Sequence, residues 1–387
     1  MKRFLPLLLL AVGILPPGLS AQAPRILTVT RDLLVSPDKA DLSEAFNIAV
    51  SRRGEIVVPQ PGQSNIKIFS PTGAMSVIGR AGEGPGEFRR VTRVGFVGDS
   101  LWVLDPSTAR ITLFGPDYKL LRSFPEPFSA MKAFQAKVAE QPVVNFFTQA
   151  VLPGGDLRAL ASMRNGTPKP AWAADIDSGA SLFVRISATG EYQRRLAVSP
   201  PSRCSISYTV GKSQGSTRVP YCPERLSTDW DGALGLALVD VLGSGAKGAT
   251  YRVTLIRETG DTLFSRAYAF TPIAITTAAR DSAEAWDAGL RKQLPPPMAE
   301  AMPKPKPEPT YPPVRRVVLG RDNTVWLEMR TSAGGHRWQV LDPRGNVLGA
   351  FQLPTDVTLK AAERGTIWGL TTDEDGVQGV VRYKVGT

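Results

Sequence analysis

GRAGEGPGEFRRVTRVGFVGDSLWVLDPSTARITLFGPDYKLLRSF, residues 79–124, is the stretch that decides the fold. After a glycine-rich loop it contains four short runs rich in apolar and β-branched residues, VTRVGFV, SLWVLD, ARITLF and LLRSF. Polar or glycine-containing turns separate these runs. Four short strands joined by turns are typical of one β-propeller blade.

The same pattern recurs six times from Phe46 to the C-terminus, with irregular spacing because some repeats carry inserts. The last repeat has only three strand-like runs, whereas the apolar run Ile26 to Val35 has no repeat of its own. We expect this N-terminal strand to complete the last blade, because pairing the two chain ends removes the open sheet edges. The predicted fold is therefore an all-β, six-bladed β-propeller over residues 24–387, with the ring closed by the N-terminal strand.

Residues 1–23 have the layout of a secretory signal peptide. Lys2 and Arg3 precede an apolar run from Phe4 to Leu15, and small residues end at Ala23. Cleavage after Ser20 or Ala21 is an alternative, because Pro24 is a poor residue directly after a cleavage site. The apolar run is too short to span a bilayer, and no later run is long enough. We expect an exported protein, periplasmic or secreted, with no transmembrane segment in the mature chain.

The charge of the chain is strongly positive, at +11, and removal of the two cations in residues 1–23 leaves +9. Such a surface favours anionic partners, so a protein or an anionic glycan of the cell envelope is expected. Nucleic acid is not expected because the protein is predicted to be exported. Evenly dispersed, solvated Lys and Arg side chains are the alternative, since the sequence contains no long basic run.

The two cysteines, Cys204 and Cys222, are predicted to form a disulfide, because an even pair in a loop-rich segment of an exported protein is usually oxidised. Closing a loop of this length stabilises the fold by about 3 kcal/mol in the chain-entropy model. Two cysteines and one distant histidine do not supply four zinc ligands.

Three inserts interrupt the repeats, at about Glu126 to Asn145, Pro200 to Pro223 and Thr271 to Pro313. The third is expected to hold a short amphipathic helix that begins near Asp281 and Glu284, which have capping-box spacing, and ends at Pro295. Its apolar side would be formed by residues at four-residue steps, namely Trp286, Leu290 and Leu294. Residues 295–313 include nine prolines and are predicted to form an extended, polyproline-like linker or arm.

The run from Gly82 to Phe88, followed by a strand and by Leu101-Trp102-Val103-Leu104-Asp105, resembles NHL-type repeats. The chain as a whole looks most similar to the exported six-bladed β-propeller proteins of bacteria. This resemblance implies a six-bladed ring around a central channel. It does not imply one function, because related propellers include binding platforms, lyases and lactonases.

The glycine-rich loop is interpreted as a turn whose Phe88 packs in the core, because a strand follows it where a phosphate-binding loop needs a helix. Arginines cluster around this loop and suit carboxylate or phosphate oxygens. They are the predicted ligand-binding residues, with solvent-exposed loop charges as the alternative: Arg80, Arg89, Arg90 and Arg93.

The single histidine, His336, excludes a multi-histidine zinc site, and a lone strand histidine is more often a packed or surface residue than a catalyst. We therefore predict a non-enzymatic binding or scaffold propeller, with no catalytic residue, metal ligand or cofactor assigned. The alternative is a calcium-dependent, lactonase-like hydrolase or lyase. Its calcium ion would be bound by carboxylate and amide oxygens in the central channel.

Overall fold

The computed structural model describes residues 24–127, 143–163, 175–177, 180–229, 235–245, 248–332 and 335–386. The predicted signal peptide and most of the predicted insert after Glu126 lie outside the described residues, so both stay predictions. Of the chain, 51% is strand and 9% is helix, and six four-stranded sheets are arranged as the blades of a propeller. The predicted fold class is confirmed.

Each blade is an antiparallel sheet, and in blades 1 to 5 the strands follow one another in sequence from the innermost to the outermost. Blade 1 consists of β2 (Ala49–Val50), β3 (Ile56–Gln60), β4 (Asn65–Phe69) and β5 (Met75–Ile78). Blade 2 consists of β6 (Arg93–Val97), β7 (Ser100–Asp105), β8 (Arg110–Phe114) and β9 (Leu120–Pro125). Blade 3 consists of β10 (Val143–Val151), β11 (Leu157–Met163), β12 (Ser181–Ile186) and β13 (Tyr192–Ser199). Blade 4 consists of β16 (Leu226–Asp229), β17 (Gly235–Gly245), β18 (Gly248–Arg257) and β19 (Thr262–Ala269). Blade 5 consists of β20 (Val314–Leu319), β21 (Val325–Met329), β22 (His336–Leu341) and β23 (Val347–Leu353).

Blade 6 contains both ends of the chain. Its strands are β24 (Val357–Glu363), β25 (Thr366–Thr372), β26 (Gln378–Val385) and, outermost, β1 (Val29–Val35). The N-terminal strand pairs antiparallel with β26, in a register from Val29 opposite Val385 to Val35 opposite Val380. The predicted closure of the ring by the N-terminal strand is thus confirmed.

The residues before β1 also contact blade 5. The Leu27 N–H donates to the Ala350 carbonyl, and the Ala350 N–H donates to the Arg25 carbonyl, both at 2.8 Å. Gly349 permits this close approach, because a Cβ there would lie 2.7 Å from the Arg25 carbonyl oxygen. The N-terminal segment therefore bonds to two neighbouring blades.

The core lies between the blades rather than within one layer. In the second strand of blade 2, all residues from Leu101 to Asp105 are buried, because both faces of this sheet pack against neighbouring blades. A continuous apolar run, rather than strict alternation, is the pattern expected of such a strand. Outermost strands are less covered, and Leu121 of β9 is exposed.

Both described inserts lie at one end of the ring. The innermost and outermost strands of an antiparallel four-stranded blade run in opposite directions, so all connections from one blade to the next lie at the same end. The connection from β13 to β16 contains the hairpin of β14 (Ser205–Val210) and β15 (Ser213–Arg218). Its ends are joined by the Cys204–Cys222 disulfide, as predicted.

The predicted helix exists in the second insert, but its start was predicted wrongly. Helix α2 spans Thr277–Gln293, after the single turn α1 (Pro37–Ala40) earlier in the chain. The Thr276 hydroxyl accepts from the Ala279 N–H and caps the helix, so Asp281 is an interior residue. None of the helix residues is buried, and Trp286 is 63% exposed, so the predicted apolar side packs on no core.

The proline-rich segment is not extended throughout, which corrects the second prediction for this insert. Helix α3 (Pro296–Ala301) begins with prolines, which the first turn of a helix tolerates because its N–H groups have no helical partner. Arg291 of α2 donates to the carbonyls of Ala299, Met302 and Pro303 and ties the two helices together. The arm is thus folded against its own helix.

Candidate functional site

The glycine-rich loop between blades 1 and 2 forms the turn that the sequence predicts. Phe88 is fully buried, and its ring lies 6.3 Å from that of Phe114. Gly79 has φ +77°, and a Cβ there would lie 2.5 Å from the Phe88 ring, so only glycine fits. The Gly82 N–H donates to the Phe88 carbonyl, which leaves this amide unavailable to an anion.

Two of the four predicted ligand-binding arginines already pair with carboxylates of the same loop. Arg80 lies 2.8 Å from Glu87, and Arg89 lies 2.5 Å from Glu83. The Gly84 N–H and Arg80 lower the pKa of the Glu87 carboxyl, which keeps the partner of Arg80 charged. These pairs neutralise much of the positive charge of the loop.

The other two arginines differ from each other. Arg93 Nη1 donates to the carbonyl and to the side-chain oxygen of Gln149 in blade 3, at 3.1 and 2.8 Å. The buried Asp105 accepts from the backbone N–H groups of Arg89 and Arg90, at 2.7 and 3.3 Å. Three of the four arginine side chains, those of Arg80, Arg89 and Arg93, are therefore already bonded to other residues of the protein.

A large groove lies between blades 4 and 5, with a volume of about 1220 Å³. Its walls are the outer strands of both blades, the start and end of the second insert, and the residues just before the N-terminal strand. The lining residues are Pro24, Arg25, Tyr251, Ala267, Tyr268, Ala269, Phe270, Thr271, Ile273, Tyr311, Pro313, Met329, Arg330, Thr331, Ser332, Arg337, Gln339, Val347 and Leu348. The described lining thus contains three arginines and no Asp, Glu, Lys or His.

None of the three arginines, Arg25, Arg330 and Arg337, forms an ion pair with a described residue. Most half-buried arginines elsewhere in the described chain do, for example Arg185 with Asp156 at 2.6 Å. The groove therefore holds three arginines without an ion pair among the described residues, of which Arg330 and Arg337 are half-buried and Arg25 is exposed.

Arg330 is the most constrained of the three. Its guanidinium carbon lies 4.5 Å from the centre of the Tyr311 ring, a cation–π contact. Its Nε is buried without a hydrogen-bond partner among the described residues. Burial, and secondly the charge of Arg315, lower the pKa of the Arg330 guanidinium. Arginine stays protonated at neutral pH, so a half-buried positive charge is held here without a direct ion pair to a described residue, and the nearby Glu328 charge offsets the lowering of its pKa only in part.

The opposite wall of the groove is aromatic. The rings of Tyr251 and Tyr268 stack with centroids 5.4 Å apart, and Phe270 tilts against Tyr251 at 6.2 Å. Burial raises the pKa of the Tyr268 hydroxyl to about 12, so it stays protonated and donates to the Gly345 carbonyl at 2.6 Å. The Tyr251 hydroxyl accepts from Gln339 Nε2 at 3.3 Å. This wall is neutral and internally bonded.

The single histidine lies in a charged cluster of blade 5. Glu328, whose side chain is 1% exposed, accepts from His336 Nδ1 at 2.8 Å and pairs with Arg315 at 3.2 Å. His336 Nε2 lies 3.2 Å from the Thr355 carbonyl. Both ring nitrogens thus lie within hydrogen-bond distance of an acceptor oxygen.

Lys360 lies in the innermost strand of blade 6, and its Nζ donates to the Phe46 carbonyl at 2.7 Å. Burial, and secondly the charge of Arg316, lower its pKa from 10.5 to about 8. Between these two values the unfolded chain binds more protons than the folded chain, so the free energy of unfolding rises with pH. Below about pH 8 the folded protein carries the full cost of burying this charge.

The variant Lys360→Met is therefore expected to be more stable than the wild type at neutral pH, by about 1–2 kcal/mol. The gain is smaller than the pKa shift alone implies, because the hydrogen bond to Phe46 is also lost. Urea unfolding at about pH 7 and about pH 10 checks this, and the difference between the two proteins should shrink at the higher pH. A variant that is less stable at both pH values would contradict the prediction.

Two further observations concern the described residues only. They contain no group of three or more His, Cys, Asp or Glu side chains arranged to hold a metal ion. They also contain no helix that is long and apolar enough to cross a membrane.

The groove arginines have no signal in the sequence by which they could have been found. Arg25, Arg330 and Arg337 belong to no motif, and Arg25 is far from the other two along the chain. What they share is a place in the lining of one groove, which depends on how the blades pack.

No protein-family model and no curated protein matches this sequence. The chain is similar in structure to a Bacteroides fragilis protein named as exported, with 10% identity over 94% of this chain and 96% of that one (TM-score 0.46). It is also similar to virginiamycin B lyase of Staphylococcus aureus, with 12% identity over 92% and 99% (TM-score 0.41). A third similar structure is that of the aldose sugar dehydrogenase of Streptomyces coelicolor, with 10% identity over 94% of this chain and 100% of that one (TM-score 0.41). At this distance the names carry no argument about function, and the resemblance to NHL-type repeats stays a hypothesis.

Proposed function

We propose that this protein is an exported, non-enzymatic binding propeller that holds an anionic ligand in the groove between blades 4 and 5. The observation that supports this proposal is the set of three arginines without carboxylate partners in the described lining. Export is supported by the signal-like residues 1–23 and by the Cys204–Cys222 disulfide, which is typical of oxidising compartments.

The unpaired charge of Arg330 costs the folded protein free energy. Removing a guanidinium group from water costs free energy unless it is paired and hydrogen-bonded. Arg330 is held against Tyr311, and its buried Nε has no hydrogen-bond partner in the part of the chain that the structure describes. An anion in the groove would supply the missing partner, and arginine matches the two oxygens of a carboxylate or phosphate group.

The groove is a better candidate than the arginine cluster of the glycine-rich loop. There, Arg80 and Arg89 pair with Glu87 and Glu83. A ligand would have to displace these ion pairs before it could bind to Arg80 or Arg89. The groove arginines form no ion pair with a described residue, so a ligand there displaces none. The cluster therefore provides a matched control of the same residue type.

The test compares two double variants, Arg330→Met/Arg337→Met and the control Arg89→Met/Arg90→Met. Binding of citrate and of oligogalacturonate is measured by calorimetry, at low salt because exposed charges are screened at high salt. Loss of two charge-assisted contacts should weaken binding of the anion at least about tenfold in the groove variant, with no change in the control.

The methionine side chain keeps the variant's groove apolar and well filled, so its melting temperature should not fall. That makes a loss of binding distinguishable from unfolding. If neither anion binds the wild type, or if the control variant loses binding instead, the groove is not the anion site.

A further inference from the structure

We propose that the anionic ligand is an acidic oligosaccharide, a chain of uronic acid residues that lies along the groove. This inference rests on the proposed function and adds the chemical class and the length of the ligand. Three features support it: the separation of the three arginines along the chain, the state of the aromatic rings, and the neutral hydrogen-bonding groups.

The groove arginines come from two parts of the fold, the N-terminal segment and one β-hairpin of blade 5, in which Arg337 lies opposite Met329. Arg25 precedes the N-terminal strand, Arg330 directly follows β21, and Arg337 lies within β22. The groove volume of about 1220 Å³ exceeds the roughly 300–1,000 Å³ of a small-molecule pocket. A single small anion cannot fill this space, whereas a chain with a carboxylate on each unit can present several anionic groups to several arginines.

Two of the aromatic rings stack on each other, and a third has one face covered by a guanidinium group. Tyr251 is stacked on Tyr268, and one face of Tyr311 is covered by the Arg330 guanidinium. Single-stranded nucleic acid binds by stacking successive bases on open aromatic faces. These rings instead form an apolar wall beside the arginines. This arrangement disfavours a nucleic acid, although a nucleic acid is a polyanion like the uronate chain.

Neutral hydrogen-bonding groups complete the lining. Thr271, Ser332 and Gln339 add hydroxyl and amide groups that can exchange hydrogen bonds with the hydroxyls of a sugar. No described lining residue carries a negative charge, so the carboxylates of a uronate chain meet no like charge. A chain that carries both hydroxyl and carboxylate groups can bond to the neutral polar groups and to the arginines of the groove at the same time.

The experiment uses the mature protein and calorimetric titration with galacturonate, its hexamer, the fully methyl-esterified hexamer, citrate and an oligothymidylate of equal charge. The hexamer is expected to bind at least about tenfold more tightly than the monomer, because its second and third contacts are intramolecular. Methyl esterification removes the charge and keeps the sugar backbone, so binding should be lost. The Arg330→Met/Arg337→Met protein should lose hexamer binding, and the Arg89→Met/Arg90→Met protein should retain it.

Different failures have different meanings. If citrate binds through Arg330 and Arg337 as tightly as the hexamer does, the proposed anion site stands and the oligosaccharide inference fails. Tighter binding of the oligothymidylate than of the hexamer also overturns the inference, in favour of a nucleic acid. If no anion binds, the proposed function itself fails.

Discussion

Removal of residues 24–35 is expected to abolish cooperative unfolding of the protein. Without β1, the β26 edge loses its antiparallel partner from Val380 to Val385, and blade 6 opens towards solvent. The hydrogen bonds of Leu27 to blade 5 are lost as well. An unpaired edge with buried apolar side chains also favours aggregation. We expect no sigmoidal melting curve by circular dichroism and an increased aggregated fraction on size exclusion.

A relocated strand provides the control. The C-terminal end of β26 lies next to the start of β1, since the Gly386 N–H donates to the Thr28 carbonyl at 2.8 Å. A chain that lacks residues 24–35 but carries a copy of residues 28–35 after Thr387 can form the same pairing as a local hairpin. This chain should regain the cooperative transition. If the truncated chain melts cooperatively without the copy, closure of the ring by the N-terminal strand is not what stabilises the fold.

The second large effect is expected for Glu258→Ala. Arg158 of β11 is 1% exposed and pairs with Glu258, which directly follows β18, so the pair links blades 3 and 4. Arg158 Nη1 also donates to the Gly235 carbonyl at 3.2 Å. Removing the carboxylate leaves a buried guanidinium without its counterion, and such a loss costs about 3–5 kcal/mol. Urea unfolding measures the change.

Two controls separate burial of the charge from loss of packing. Arg158→Met/Glu258→Leu removes both charges, so its loss of stability should be clearly smaller than that of Glu258→Ala. The pair of Arg195 and Asp175 has the more exposed carboxylate, and Asp175→Ala should cost no more than about 1 kcal/mol. Equal losses for Glu258→Ala and Asp175→Ala would show that burial does not increase the importance of the Arg158 pair.

The second insert shows where sequence patterns lead to wrong local predictions. Asp281 and Glu284 have the spacing of a capping box, but Thr276 caps the helix one turn earlier, where it also follows the exit from blade 4. The periodic positions of Trp286 and Leu290 suggest a buried face, although the helix has none. Periodicity indicates which residues share a face, but only the surrounding chain determines whether that face is covered.

The arginine predictions show a related limit. Sequence proximity brings Arg80, Arg89 and Arg90 to one loop, and the structure places them there. Sequence proximity also brings Glu83 and Glu87, which pair with two of these arginines. Clustered positive charge along a chain therefore does not by itself predict a free anion site.

The sequence by itself determined the six-bladed ring, its closure by the N-terminal strand and the disulfide. These features follow from local turn chemistry, from runs of apolar residues and from the count of strands, all of which can be read along the chain. Only the tertiary structure decided where positive charge remains unpaired, because Arg25, Arg330 and Arg337 line a groove that two blades and the N-terminal segment form together. The presence or absence of a carboxylate within ion-pair distance depends on packing between distant segments, and no local pattern encodes it.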